Sequence, residues 1–480
     1  MDEKEFAAER IRNGELRSRV CRAEEAASFF RDGMLVATSG NALTGFPRAV
    51  FGALAERVKA GSPLKVDLLC SGPLGPEVED ALVEAGAMRR RIGTVGSRML
   101  RQAINRGNVG FIEGKTGRLS LQARRGYFGK IDVAVVEIAG INEKGDIIPG
   151  ISVYDAPDWL ELASSIILEI NVSRPLKLEG IHDIYLPRPG TPIPLSDPLG
   201  RIGSPFMTLD PAKVRHIVIS GPEERETPAS AEGPQAEAIA RNLISFVRQE
   251  ASRNGAMPPI EVGIGEVMKA FLSALGRSEF SSLVFYLAAA TDPILDLVDA
   301  GKVKGVCCNS LRFSGSVLKR FYAGLEDYRR SFVMRPVTLT NSAEMLNRFG
   351  VLSVNTGLEA DIQAQVNSRH ARGSQLVGGI AGSYDFARNG SVSIFALPSK
   401  SPRGSNIVPV VSHVDHTEHE VDVLVTEHGF ADLRALEPFD RARRIIENCA
   451  DPAFRDGLNA YVEKARRNTG RMPIVLPESG

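Results

Sequence analysis

Several things are scarce in this sequence, and each scarcity excludes a class of protein. There is no charge imbalance: 58 Lys and Arg stand against 58 Asp and Glu. A nucleic-acid-binding surface needs a net basic field, so such a partner is not expected, and the short runs RRR at 89–91 and RR at 124–125 are too local to supply one. Cysteines number five, an odd count without CxxC spacing, in a chain too long to need staples, which excludes a disulfide scaffold and points to a reducing, cytoplasmic setting. No uncharged apolar stretch approaches 18 residues, and MDEKEFAAERIRNGELRSRV opens the chain as a charged helical pattern without a signal segment, so neither membrane partner nor membrane passage is expected.

What remains is a globular composition rich in turns: 43% hydrophobic, 24% charged, 46 glycines and 28 prolines in 480 residues. That length implies two domains. In the first half, helical patterns such as GFPRAVFGALAERVKAG alternate with MLVATSG, LKVDLLCSG, GNVGFIEG, IDVAVVEIAGI, SIILEIN and RHIVISG. These Val, Ile and Leu runs lack strict alternation, the pattern of parallel strands covered by helices on both faces. Residues 172–212 carry a proline-rich stretch, long for a connection and therefore expected to be an arm wrapped over a partner surface. The polar stretch GPEERETPASAEG marks a boundary, giving domains 1–225 and 226–480. The second repeats the α/β alternation in IEVGIGE, SLVFYLAA, VKGVCCN, GVLSVNT, SVSIFAL and VDVLVTEHG. Two such halves would place a pocket at their junction, near the carboxyl ends of the strands.

Three stretches carry candidate chemistry. In GIGEVMKAFLSAL, Gly263, Ile264 and Gly265 form a turn opening a helix, where exposed N–H groups could hold a phosphate; such turns are also common without a ligand. In GGIAGSYDFARNG, the glycines let backbone approach a ligand, Asp385 and Arg388 could clamp it, and a turn N–H could serve an oxyanion, or the same residues could only pin a loop. SHVDHTEHEVDVLVTEHG holds His413, His416, His419 and His428, but without cysteine or an HExxH glutamate a hydrogen-bonded turn is expected and no metal. Glu427 closes a buried strand, a costly place for a carboxylate that is neither paired nor used.

These segments, with AEEAASFFRDGMLVATSG, GYFGKIDVAVVEIAGI, LEGIHDIY, GRIGSPF, LDLVDAGKVKG, VNTGLEADI and IIENCADPAFRD, resemble the acetyl-CoA hydrolase/transferase family, single-chain class I CoA-transferases, and are most similar to its succinyl-CoA:acetate branch. The resemblance implies two similar open α/β domains of the CoA-transferase type with the active site at their junction, coenzyme A as substrate or ligand, an acyl-CoA and a small carboxylate as partners, and a homodimer. It also implies a glutamate nucleophile. Aligned without a gap through LDLVDAGKV, that glutamate falls on Ala288. Alanine cannot attack a carbonyl, so the expectation is a CoA-thioester enzyme working without a covalent glutamyl intermediate, by hydrolysis or a related reaction; ordinary CoA transfer and non-catalytic CoA binding are the alternatives. By the same resemblance Gly382 donates to an oxyanion, Asn341 and Glu427 line the site, and Gly263, Ile264, Gly265, Gly379 and Gly382 contact CoA. Glu427 is the expected base, with His428 or Glu266 behind it; Asn41 and Tyr384 are expected to touch substrate.

Overall fold

A computed structural model describes residues 8–224, 226, 232–467 and 470–475. They form two compact units. The first takes the described residues up to 227 together with Phe285–Leu295 and Gly305–Met345; the second takes the remainder. Among the described residues no helix is long and apolar enough to cross a membrane.

The first unit is built on a nine-stranded sheet. Its strands run in the order Val20–Cys21, Val214–Ser220, Ser165–Asn171, Val133–Ile141, Leu35–Thr38, Val66–Cys70, Met88–Gly93 and Gly110–Ile112, every neighbour parallel, with Ile147–Pro149 antiparallel on Val133–Ile141. All nine positions of VAVVEIAGI and all seven of SIILEIN are buried. Helices on both faces exclude water, and β-branched side chains fill that space without strain. Trp159, Ile138, Leu168 and Ile217 belong to the resulting core. The buried strand carboxylate Glu169 is spent on capping: its two oxygens accept from the N–H groups of Arg48, Ala49 and Val50, which open the helix Ala49–Lys59.

The basic run RRR belongs to a strand. Arg89 and Arg90 both bind Asp67, and Arg91 is fully buried beside Glu79, donating also to the carbonyls of Cys70 and Gly72. The proline-rich segment, expected to be an arm wrapped over a partner surface, also makes bonds within the first unit. Arg335 donates to Asp183 at 2.8 Å and to the carbonyls of Pro198 and Gly200, and Ile193 N–H donates to Glu344 at 3.1 Å.

In the second unit Ile260–Val262, Leu352–Asn355, Val392–Ala396 and Val423–Thr426 lie side by side in that order, all parallel, with Gly429–Asp432 antiparallel beyond them. A separate core gathers Phe395, Leu424, Ile445 and Leu458.

Candidate functional site

In the first unit Ala288 lies in the short break between the strands Leu283–Tyr286 and Ala289–Thr291. Its carbonyl accepts from the N–H of Asn309 at 3.2 Å. From Asn309 a buried network of neutral groups extends. Its amide donates to Thr340 Oγ1 at 3.0 Å, its oxygen accepts from Asn41 at 3.0 Å and from the Ser310 hydroxyl at 3.0 Å, and Ser310 Oγ meets Ser152 Oγ at 2.9 Å. Thr340 Oγ1 passes its own proton to Asn341 Oδ1 at 2.9 Å. Asn41 and Asn341, expected separately, thus belong to one chain of amides and hydroxyls running through Asn309. Sequence reasoning missed Asn309; its only signal was a place directly after the apolar strand Val303–Cys308.

The chain conformation that presents Asn41 is unusual. Ala42 and Leu43 follow it at φ 53° and 67°, left-handed values that cost non-glycine residues about 1–3 kcal/mol each. Mutual N–H···O bonds between Asn41 and Thr44 close this turn, and Gly72 packs so tightly that a Cβ there would lie 2.7 Å from Asn41 Oδ1. The nearest carboxylate in sequence is already occupied: Asp292 Oδ1 accepts from Ser314 N–H at 2.8 Å, at the start of the helix Gly315–Ala323.

In the second unit the candidate carboxylates gather at the N-terminus of one helix, Pro234–Asn254. Glu427 closes the strand Val423–Thr426 and accepts from Gln235 Nε2 at 2.6 Å, from Ser399 Oγ at 2.7 Å and from Ser399 N–H at 2.9 Å. Glu266 accepts from Gly233 N–H at 3.0 Å. A helix N-terminus favours both anions. Burial pushes the Glu427 carboxyl up, but the bonds from Ser399 and Gln235 outweigh it and hold the group below its ordinary value. An anion so well satisfied is a weaker base than a carboxylate at its ordinary value. Beside it stands His428, whose Nε2 is 3.8 Å from Glu427 Oε1 and 3.6 Å from Asp451 Oδ2. The ring therefore faces two carboxylates and is itself partly exposed. Gln235, Ser399 and Asp451 carried no sequence signal of their own.

The glycine turn Gly263, Ile264 and Gly265 ends the strand Ile260–Val262 and opens the helix Glu266–Arg277. Ile264 is 41% exposed, and Gly265 has φ +141° with nothing near a Cβ position, so glycine serves backbone conformation there and not close packing. Gly379 lies in irregular chain, and Gly382 precedes the short helix Ser383–Asn389 with its carbonyl accepting from Asp385 N–H at 2.9 Å. The Tyr384 hydroxyl accepts from Arg388, whose guanidinium also faces Glu420 at 3.5 Å. The histidine-rich stretch is a bonded turn around Arg369, which pairs with Asp415 and donates to His413. A cleft of about 820 Å³ in the first unit, lined by Arg124, Tyr185, Phe206 and Lys213 among others, includes none of the candidate residues.

The two open α/β units define the class: the CoA-transferase fold. A solved structure of RipA from Yersinia pestis superposes with a TM-score of 0.74 at 21% identity, over 97% of this chain and all of that one. Family models for the acetyl-CoA hydrolase/transferase N-terminal and C-terminal domains match residues 7–220 and 318–462. The succinyl-CoA:acetate CoA-transferase of Clostridium kluyveri is 38% identical over 96% of this chain and 87% of its own. An acetyl-CoA hydrolase of Schizosaccharomyces pombe is 34% identical over 97% and 95%. The chain belongs to the acetyl-CoA hydrolase/transferase family, and that membership supports an enzyme acting on CoA thioesters.

Proposed function

We propose that the protein acts on an acyl-CoA without a glutamyl nucleophile, by direct attack of water on the thioester. The observation that carries this reading is the environment of Ala288: a side chain without chemistry beside a network of amides and hydroxyls, with Asp292 accepting at a helix start. Groups of this kind supply no covalent partner. In the reaction water adds to the carbonyl carbon, the C–S bond breaks, CoA leaves as the thiol and the acyl group as its carboxylate. His428, paired with Glu427 and Asp451, is the base that takes the water proton and can return it to the leaving sulfur. Glu427 holds the ring in place. The Gly382 N–H serves the oxyanion, and the turn Gly263–Gly265 holds CoA through the helix start behind it.

The test is CoA release from a panel of acyl-CoAs, with and without acetate or succinate. Acceptor-independent release by the wild type, reduced about 10²–10⁴-fold in His428→Ala, is the expected result. The 38% identity to a named transferase favours a second reading, transfer to a carboxylate acceptor. Release that requires the acceptor in the wild type would establish that reading and overturn ours. Silence in the wild type with transfer appearing in Ala288→Glu would mean a binding scaffold.

A further inference from the structure

Outside the candidate site, three side chains with metal-ligating atoms converge at the edge of the nine-stranded sheet. Cys21 closes the two-residue strand Val20–Cys21; His216 comes from Val214–Ser220, its parallel neighbour, where Val20 faces Ile217 and Cys21 faces Val218. Glu25 comes from the following helix, Ala23–Ala27. One donor atom from each lies within 4.8 Å of the others, and the closest pair, Cys21 Sγ and His216 Nδ1, is 3.4 Å apart.

That spacing fits shared coordination. Zn–S and Zn–N bonds of about 2.3 and 2.0–2.1 Å at a tetrahedral angle hold the two donors roughly 3.6 Å apart. The remaining carboxylate, Glu25, is exposed. Burial and the Glu25 charge push the Cys21 thiol up, only partly opposed by the backbone N–H groups of Ala26 and Ile217, so a bound cation would have to displace the thiol proton. Phe29 packs edge-on against His216 with ring centroids 6.1 Å apart, restraining the ring plane. Of the five cysteines, Cys21 alone is not buried, so a cation can reach it. No arginine or lysine is among these partners, in contrast to the His413–Asp415 cluster, which Arg369 fills.

We propose that Cys21, Glu25 and His216 form a binding site for one divalent cation of the zinc type, with water as the fourth ligand. Binding replaces the thiol proton, which leaves to solvent, by a metal–sulfur bond; no redox change is involved. The cation joins the N-terminal strand and helix to the sheet edge, a structural role separate from thioester chemistry.

The experiment is calorimetric titration of ZnCl₂ into the untagged, metal-free full chain, with Co²⁺ spectroscopy as a second readout. The expected result is one site per chain, weakened at least tenfold in both Cys21→Ser and His216→Ala and less in Glu25→Gln, with a thiolate-to-cobalt charge-transfer band that Cys21→Ser abolishes. Circular dichroism of the metal-free variants checks that each is folded, and a variant that fails it is replaced by Cys21→Ala or His216→Gln. Absence of a site in the wild type, equal binding by the double variant Cys21→Ser/His216→Ala, or cobalt binding without the sulfur band would overturn the proposal.

Discussion

Glu261 stands buried in the strand Ile260–Val262, directly before the glycine turn, where Asn355 Nδ2 donates to its Oε2 at 2.8 Å. Burial, only partly opposed by that bond and by one from the Val354 backbone, pushes its carboxyl up to about 8. Unfolded, the group has a pKa of about 4.3, so between roughly pH 4.3 and 8 the native chain holds a proton that the unfolded chain has released. Stability therefore falls as pH rises through this window, by at most about 1.4 kcal/mol per pH unit. Glu261→Gln keeps an acceptor for Asn355 and removes the titration. Urea midpoints from pH 5 to 8 are expected to decline for the wild type relative to this variant; parallel curves would refute the assignment. The same logic explains what single residues disclosed beforehand. That Glu427 ends a strand and must be satisfied was legible in the sequence, because a buried carboxylate is never neutral in consequence. Which partners satisfy it was not, since Gln235 and Ser399 lie far from it in sequence. Three donors rather than one hold it as an anion.

At the scale of elements, one side chain makes several of the bonds that hold the arm over residues 187–200. Arg335 is fully buried, paired with Asp183 and bonded to the carbonyls of Pro198 and Gly200. Arg335→Met leaves Asp183 without its counterion in a buried place, at a cost of about 3–5 kcal/mol. Urea denaturation is expected to show that loss, and limited proteolysis with mass spectrometry to show new cleavage between Arg188 and Arg201. An unchanged cleavage map would mean the arm is held by other contacts. The apolar strands were readable from composition, because parallel strands covered on both faces have no polar side to hide them. Met88–Gly93 was not, because MRRRIG carries its counterions elsewhere, on Asp67 and Glu79. The arm was legible only as irregular chain, because proline and glycine announce such chain without saying which buried cation donates to its carbonyls.

For the whole molecule, equal numbers of acidic and basic residues give an isoelectric point near 7.1. Colloidal repulsion is then weakest at neutral pH, and polyethylene-glycol precipitation is expected to show a solubility minimum near pH 7, relieved on either side. A minimum elsewhere would show that local charge clusters govern association. The large sheet has a further consequence, one of timing. Its edge pairs Val20–Cys21 with Val214–Ser220, partners separated by nearly two hundred residues. At translation speeds of 5–20 residues per second, roughly 10–40 s pass between synthesis of the first strand and of its neighbour. Throughout that interval the nascent chain carries an unpaired N-terminal strand and an unprotected Cys21 thiol, so a thiol-reactive label applied to ribosome-bound chains would mark the moment at which the edge closes.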